Sequence, residues 1–315
     1  MKKRPGVIAA ALFATLAGCD DALLMPPDPP PAPEVTAAAP RPADPVPSEA
    51  SRDLERFYAR VEANLRAQGL LRTDGGGSDA PFTSDDLARN FERIALFEEF
   101  ANVGGRLVAQ QTESRLHRWE EPVKIQLEFG DRVPEAKRNR DRVSVATFAA
   151  RISRASGAPV RMVRAGGNFH VFIVNEDDRR TLGPRLREII PGITGAALDT
   201  VIDLPRSSYC LALAWDPDDS GGYERAVAII RAEHPDLLRL SCIHEEIAQG
   251  MGLSNDSPRA RPSVFNDDEE FALLTRHDEL LLKILYDTRL RGGMTPAEAM
   301  PIVREIAVEV MGGDS

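Results

Sequence analysis

The residues best equipped for chemistry lie in one stretch, Cys242–Asp256 (CIHEEIAQGMGLSND). Glu245 and Gln249 are four apart, so on a helix both project from one face. Gly252 and Leu253 read as a helix stop and a chain reversal, which brings Asn255 back beside that face. Two helix positions and one returning residue can surround a metal ion, with Glu246 alongside as the candidate catalytic base. Zinc hydrolases hold their ion through neutral imidazole nitrogens and use it to make a nucleophile of bound water. Here the three positions offer one carboxylate (Glu245) and two amides (Gln249, Asn255). Amide oxygens are hard, weak donors that suit Ca²⁺ or Mg²⁺ better than zinc, and one formal charge makes a weak cage for either. No metal and no cofactor is therefore expected here beyond weak Ca²⁺ or Mg²⁺ binding. Without a metal, Glu246 has no activated water to deprotonate.

Neighbouring polar residues have quieter readings. His244 is rotated by about 100° from Glu245 around a helix, so the two cannot fill one ligand position. It reads as a structural histidine rather than a substitute ligand. Glu245, Gln249, Asn255 and Asp256 can hydrogen-bond one another and pin the returning loop to the helix, as buried polar groups must find partners. His170 reads as a strand-face residue near the cleft. His117, His234 and His277 have no spacing that marks a site.

In the register Glu245, Glu246, Gln249, Gly252, Asn255, the stretch resembles the HExxHxxGxxH motif of matrixin-type zincin peptidases with its three histidines replaced. The alternative register, begun at His244, would place Ala248, Met251 and Ser254 at the second histidine, the glycine and the third ligand. Ser263–Asp267 stands where such enzymes carry a methionine turn, with Phe265 in place of the Met, and Leu285-Tyr286-Asp287 follows. The likeness runs from about Lys124 to Asp287. More closely, the chain is similar to a proteobacterial lipoprotein family of unknown function with the signature EExxQxxGLxND. The resemblance implies a zincin-like α+β fold with a degenerate metal centre, and no established activity.

The elements that must position these residues follow from periodicity. Helices are expected over Ser51–Gln68 and from a Thr83 cap along Leu87, Phe91, Ile94 and Phe97–Phe100, either side of a glycine-rich loop at Thr73–Ser78. These helices are expected to pack on the main domain, where they could restrict access to a cleft. Strands are expected at Trp119–Glu128, Val160–Val163, Asn168–Asn175, Cys210–Trp215 and Ala226–Ala232. Further helices are expected at Val143–Ala155, Arg179–Ile190 and Pro235–Met251, with a last one from a Thr295 cap to Gly312-Gly313. This order is α+β: a mixed sheet against long helices, with a helical C-terminal part.

The N-terminus reads as a lipoprotein signal rather than an ordinary secretory one: basic Lys2–Arg4, apolar Val7–Ala17, then Leu16-Ala17-Gly18-Cys19. Its resemblance to bacterial lipoboxes implies cleavage before Cys19 and lipidation of that residue. Asp20 resembles the inner-membrane retention signal of enteric bacteria. The expected divisions are a signal at 1–18, a Pro/Ala-rich tether at 19–50, a helical region at 51–118 and the zincin-like domain at 119–315. At about 3.1 Å per residue the tether spans tens of ångströms. Loss of Lys2, Lys3 and Arg4 with the signal moves the formal charge from −10 to −13. That balance argues against nucleic acid and against electrostatic docking to anionic lipid, leaving acyl chains as the membrane attachment. In an oxidising periplasm, Cys210 and Cys242 are expected to form a disulfide in preference to two buried thiols.

Together these features lead to a periplasm-facing lipoprotein that binds a protein, peptide or envelope component without cutting it. Two alternatives stand beside that expectation. One is a hydrolase with non-standard metal ligands or a Glu245/Glu246 acid–base pair. The other is a structural subunit of an envelope complex, docked through Leu87–Phe100 or the last helix.

Overall fold

The structure, a computed structural model, describes residues 45–103 and 106–312, with side chains for all of these except 99–110. The lipobox, Cys19, Asp20 and most of the Pro/Ala-rich stretch lie outside the described residues. Helix α1 (Glu49–Ala67) starts at Ser48, whose hydroxyl accepts from Ser51 N. Helix α2 (Ser84–Ala95) starts in a Thr83/Asp86 capping box and buries Leu87, Phe91 and Ile94. The expected continuation of this helix through Phe100 is corrected. Leu96 leaves helical geometry, and Phe97–Val103 is a strand, β1, antiparallel to β2 (Arg106–Glu113). Phe97 and Phe100 are three apart, which fits a helical stripe as well as it fits a strand.

The rest of the chain builds one sheet and its covering helices. In order come β3 (Val123–Phe129), α3 (Glu135–Ser156), β4 (Val160–Val163), β5 (Phe169–Val174), α4 (Glu176–Arg179), α5 (Gly183–Ile189), α6 (Gly195–Ile202), β6 (Cys210–Trp215), β7 (Arg225–Arg231), α7 (Asp236–Gln249), α8 (Arg276–Leu285) and α9 (Pro296–Gly312). The sheet order is β4-β3-β5-β7-β6, parallel throughout except that β6 runs antiparallel to β7 at the edge. This is the mixed α+β class expected.

Strand alternation divides the apolar residues between two cores. Phe169, Val171, Ile173, Ala226, Ala228 and Ile230 face a large core shared with α2, α3, α7, α8 and α9. Phe172, Val174, Val227 and Ile229 face a smaller one closed by α5 and α6. Both sides of β5 are therefore covered, as a central parallel strand requires. Two of these helix expectations need adjustment, and one helix was missed. The first, α3, begins earlier than periodicity indicated, after Pro134, and ends on Gly157 in the left-handed region (φ 74°). The expected Arg179–Ile190 helix is two pieces, because Pro184 in the first turn of α5 has no N–H with which to continue an earlier helix. Short α6, capped by Thr194, was not anticipated. Among the described residues no helix is long and apolar enough to cross a membrane.

Candidate functional site

The Cys242–Asp256 stretch folds as the second half of α7 and the turn that follows. Two glycines set how closely this turn approaches its surroundings. A Cβ on Gly250 would fall 2.3 Å from the Phe169 ring, and one on Gly252 (φ 115°) would fall 2.3 Å from the carbonyl oxygen of His117. Hydrogen bonds then fix the contact: Trp119 Nε1 donates to Gly250 O at 2.8 Å and the Tyr286 hydroxyl to Met251 O at 2.8 Å. Tyr286 is thus part of the clamp on the motif turn, and burial pushes its pKa far above the ordinary phenol value. The Cys210–Cys242 disulfide, with Cα atoms 5.9 Å apart, ties the same helix to the start of β6.

The sequence-predicted site residues separate into different environments. His244 is buried on the α3 side of α7, stacked on Phe148 at 4.0 Å, and its Nδ1 accepts from Leu274 N at 3.0 Å. Burial, with the nearby Arg151 adding to it, pulls its pKa down to about 3. It is a neutral packing residue. Asn255 is fully buried, with its backbone N–H on Ile94 O and its Nδ2 on Arg93 O. Those are carbonyls from the last turn of α2, which a helix end leaves unsatisfied. Asn255 therefore caps α2, while its Oδ1 is buried without a hydrogen bond among the described residues. Gln249 Nε2 donates to Asp256 Oδ1 at 3.2 Å, so this pair joins helix to loop. Gln111 on the hairpin donates to Asp256 O, and Ser254 donates to Phe97 O, which ties the hairpin to the same turn.

Glu245 and Glu246 carry carboxylate oxygens within 4.8 Å of each other and of Cys210 Sγ. That sulfur is in the disulfide and has no thiolate to offer a metal. The donor set of Glu245, Gln249 and Asn255, one carboxylate and two amide oxygens, does not fit zinc. No chemical step is derived through a metal at those positions.

A cavity of about 300 Å³ opens beside the motif, between Gln249-Gly250 of α7 and residues 212–216 along β6. Glu98, His117, Asp216, Asp219, Tyr223 and Ser254 complete its wall. Tyr223 is half-buried, and desolvation of its hydroxyl together with nearby Glu98 drives its pKa far up, so the hydroxyl stays protonated beside Ser254. His117 stacks on Tyr223 with ring centroids 5.4 Å apart. None of His117, Asp216, Asp219 or Tyr223 was singled out from sequence, since they come together only through long-range backbone pairing. Arg118 N donates to Gly221 O and Tyr223 N to Arg118 O, both at 2.9 Å. The acidic run Asp216-Pro217-Asp218-Asp219 directly after a strand was the one local signal available. His234 and His277 are fully buried, and His277 bonds Asn90 at 3.0 Å. His170, expected near the cleft, sits on the opposite sheet face, where its Nδ1 meets Glu128 at 2.6 Å and Arg185 of α5 holds the same carboxylate.

Sheet, edge strand and motif helix define a mixed α+β protein in which the antiparallel edge strand of the five-stranded sheet borders a polar cleft. The chain belongs to the family described as protein of unknown function (DUF2927), whose family model matches residues 84–305. That span opens at α2 and closes within α9, so hairpin, sheet, α7 and cleft all fall inside it. No curated protein and no solved structure matches the chain.

Proposed function

We propose that this chain is a lipid-anchored protein facing the bacterial envelope, and that its cleft holds an extended segment of a protein or peptide without cutting it. The observation that carries this reading is the edge strand. Among the described residues β6 pairs on one side only, with β7, and the cavity runs along residues 212–216. An unpaired strand edge is a template for an added strand, with main-chain hydrogen bonds supplying affinity and neighbouring pockets supplying selectivity. Zincin-type clefts, which this stretch resembles, take substrate in the same way. The reading is non-catalytic because Gln249 and Asn255 offer amide oxygens, hard and weak donors, where a zinc hydrolase has imidazoles. The anchor rests on Leu16–Cys19 and the Pro/Ala-rich stretch, and the Cys210–Cys242 disulfide suits an oxidising compartment. Asp20 favours the inner membrane.

The test is selection of random-sequence peptides on the full chain purified in detergent. Successive amides of a strand point alternately towards β7 and towards the cleft, and proline removes one such donor. Of Ala212→Pro and Leu213→Pro, one is expected to keep the fold by circular dichroism yet lose captured peptides at least tenfold, while Glu246→Gln captures normally. Capture unaffected by either proline variant contradicts the docking mode. Chelator-sensitive cleavage abolished by Glu246→Gln replaces it with a hydrolase. Cys19→Ser is expected to move the protein from the membrane to the soluble fraction.

A further inference from the structure

The wall of the cleft facing α7 carries a group of donors that the peptide reading does not use. His117 is 8 % exposed and lines the cavity. Its Nε2 points at Asp216 Oδ2 from 3.5 Å, and donor atoms of His117, Asp216 and Asp219 all lie within 4.8 Å of one another. A separation of 3.5 Å is long for a hydrogen bond. It is close to the spacing of about 3.3 Å between two ligands on one tetrahedral ion with bonds of about 2.0–2.1 Å.

We propose that His117, Asp216 and Asp219 bind one divalent cation of the kind that accepts imidazole, with zinc as the type ion, in the wall of the peptide cleft. Two of the three ligands are held in place before any ion arrives, and the third, Asp219, is exposed. Asp216 is oriented by Gly221 N at 2.6 Å and Ser220 N at 3.2 Å, the hydrogen-bonded outer layer that ligating carboxylates ordinarily carry. His117 is oriented by its stack on Tyr223 and by the backbone pairing of Arg118 with Gly221 and Tyr223. One imidazole nitrogen and two carboxylates match a borderline transition ion and supply two negative charges to neutralise it. All three residues line the cavity, so the remaining coordination position faces the space beside β6. Gln249 lines the same cavity but supplies none of the three ligands, and the site stands whether or not peptides bind.

The full chain in detergent, stripped with EDTA, is titrated with Zn²⁺ by calorimetry and with Co²⁺ by visible absorption. One equivalent is expected, with tetrahedral-type cobalt bands. His117→Ala and Asp219→Asn each weaken binding by tenfold or more with circular dichroism unchanged, and Glu245→Gln binds as wild type. Absence of a stoichiometric event overturns the proposal. So does loss of binding in Glu245→Gln with retention in His117→Ala, as does Ca²⁺ binding of equal strength with and without the imidazole.

Discussion

His244 shows how a residue inside a suggestive motif can belong to the core. It is stacked on Phe148 and hydrogen-bonded to Leu274 N, and burial holds it neutral with a pKa of about 3. In the unfolded chain a histidine takes up its proton near pH 6.5, so between there and about pH 3 the unfolded state binds more protons and stability falls as pH drops. Urea unfolding at pH 7.5 and pH 5 is expected to show a loss on the order of 1–2 kcal/mol attributable to this group. His244→Phe, which keeps a ring on Phe148, should be less stable at pH 7.5 because Leu274 N loses its acceptor, and should lose that part of the pH slope. An unchanged slope would mean that His244 protonates within the fold. At this scale the motif was legible because Glu245, Gln249 and Asn255 keep their spacing in the sequence. The commitment of Asn255 to α2 was not, since Arg93 and Ile94 belong to a distant segment.

At the scale of elements, the disulfide and the glycine turn set α7 against the sheet. Closing the loop from Cys210 to Cys242 is worth about 3–4 kcal/mol in the chain-entropy model. Cys210→Ser with Cys242→Ser is expected to lower the thermal midpoint by several degrees, and reductant should do the same to the wild type but not to the double variant. An unchanged midpoint in both would mean that the bridge contributes no stability. Strand β5 was readable because Phe169, Val171 and Ile173 alternate with His170 and Phe172, and the two sets face different cores. The hairpin was not, because Phe97 and Phe100 satisfy helical and extended periods equally. Helix α6, at eight residues and opened by Gly195-Ala196-Ala197, carries too short a pattern to register.

For the whole molecule, the sheet order decides what the cleft can do. The antiparallel placement of β6 at the edge leaves one side of that strand open next to the α7 turn, and Trp119, Tyr223 and Tyr286 brace the region from beneath. The α+β class was legible in the order of strands and helices. The cavity was not, because its walls come from the segment at His117, the loop after β6 and the end of α7, which share no local spacing. The central claim, that the free edge of β6 receives an extended chain, is tested most directly by amide hydrogen exchange on the full protein with and without a captured peptide. Slower exchange is expected within Cys210–Trp215 and in the turn from Gly250 to Ser254. Protection confined to other surfaces, with β6 exchanging as before, would contradict the account.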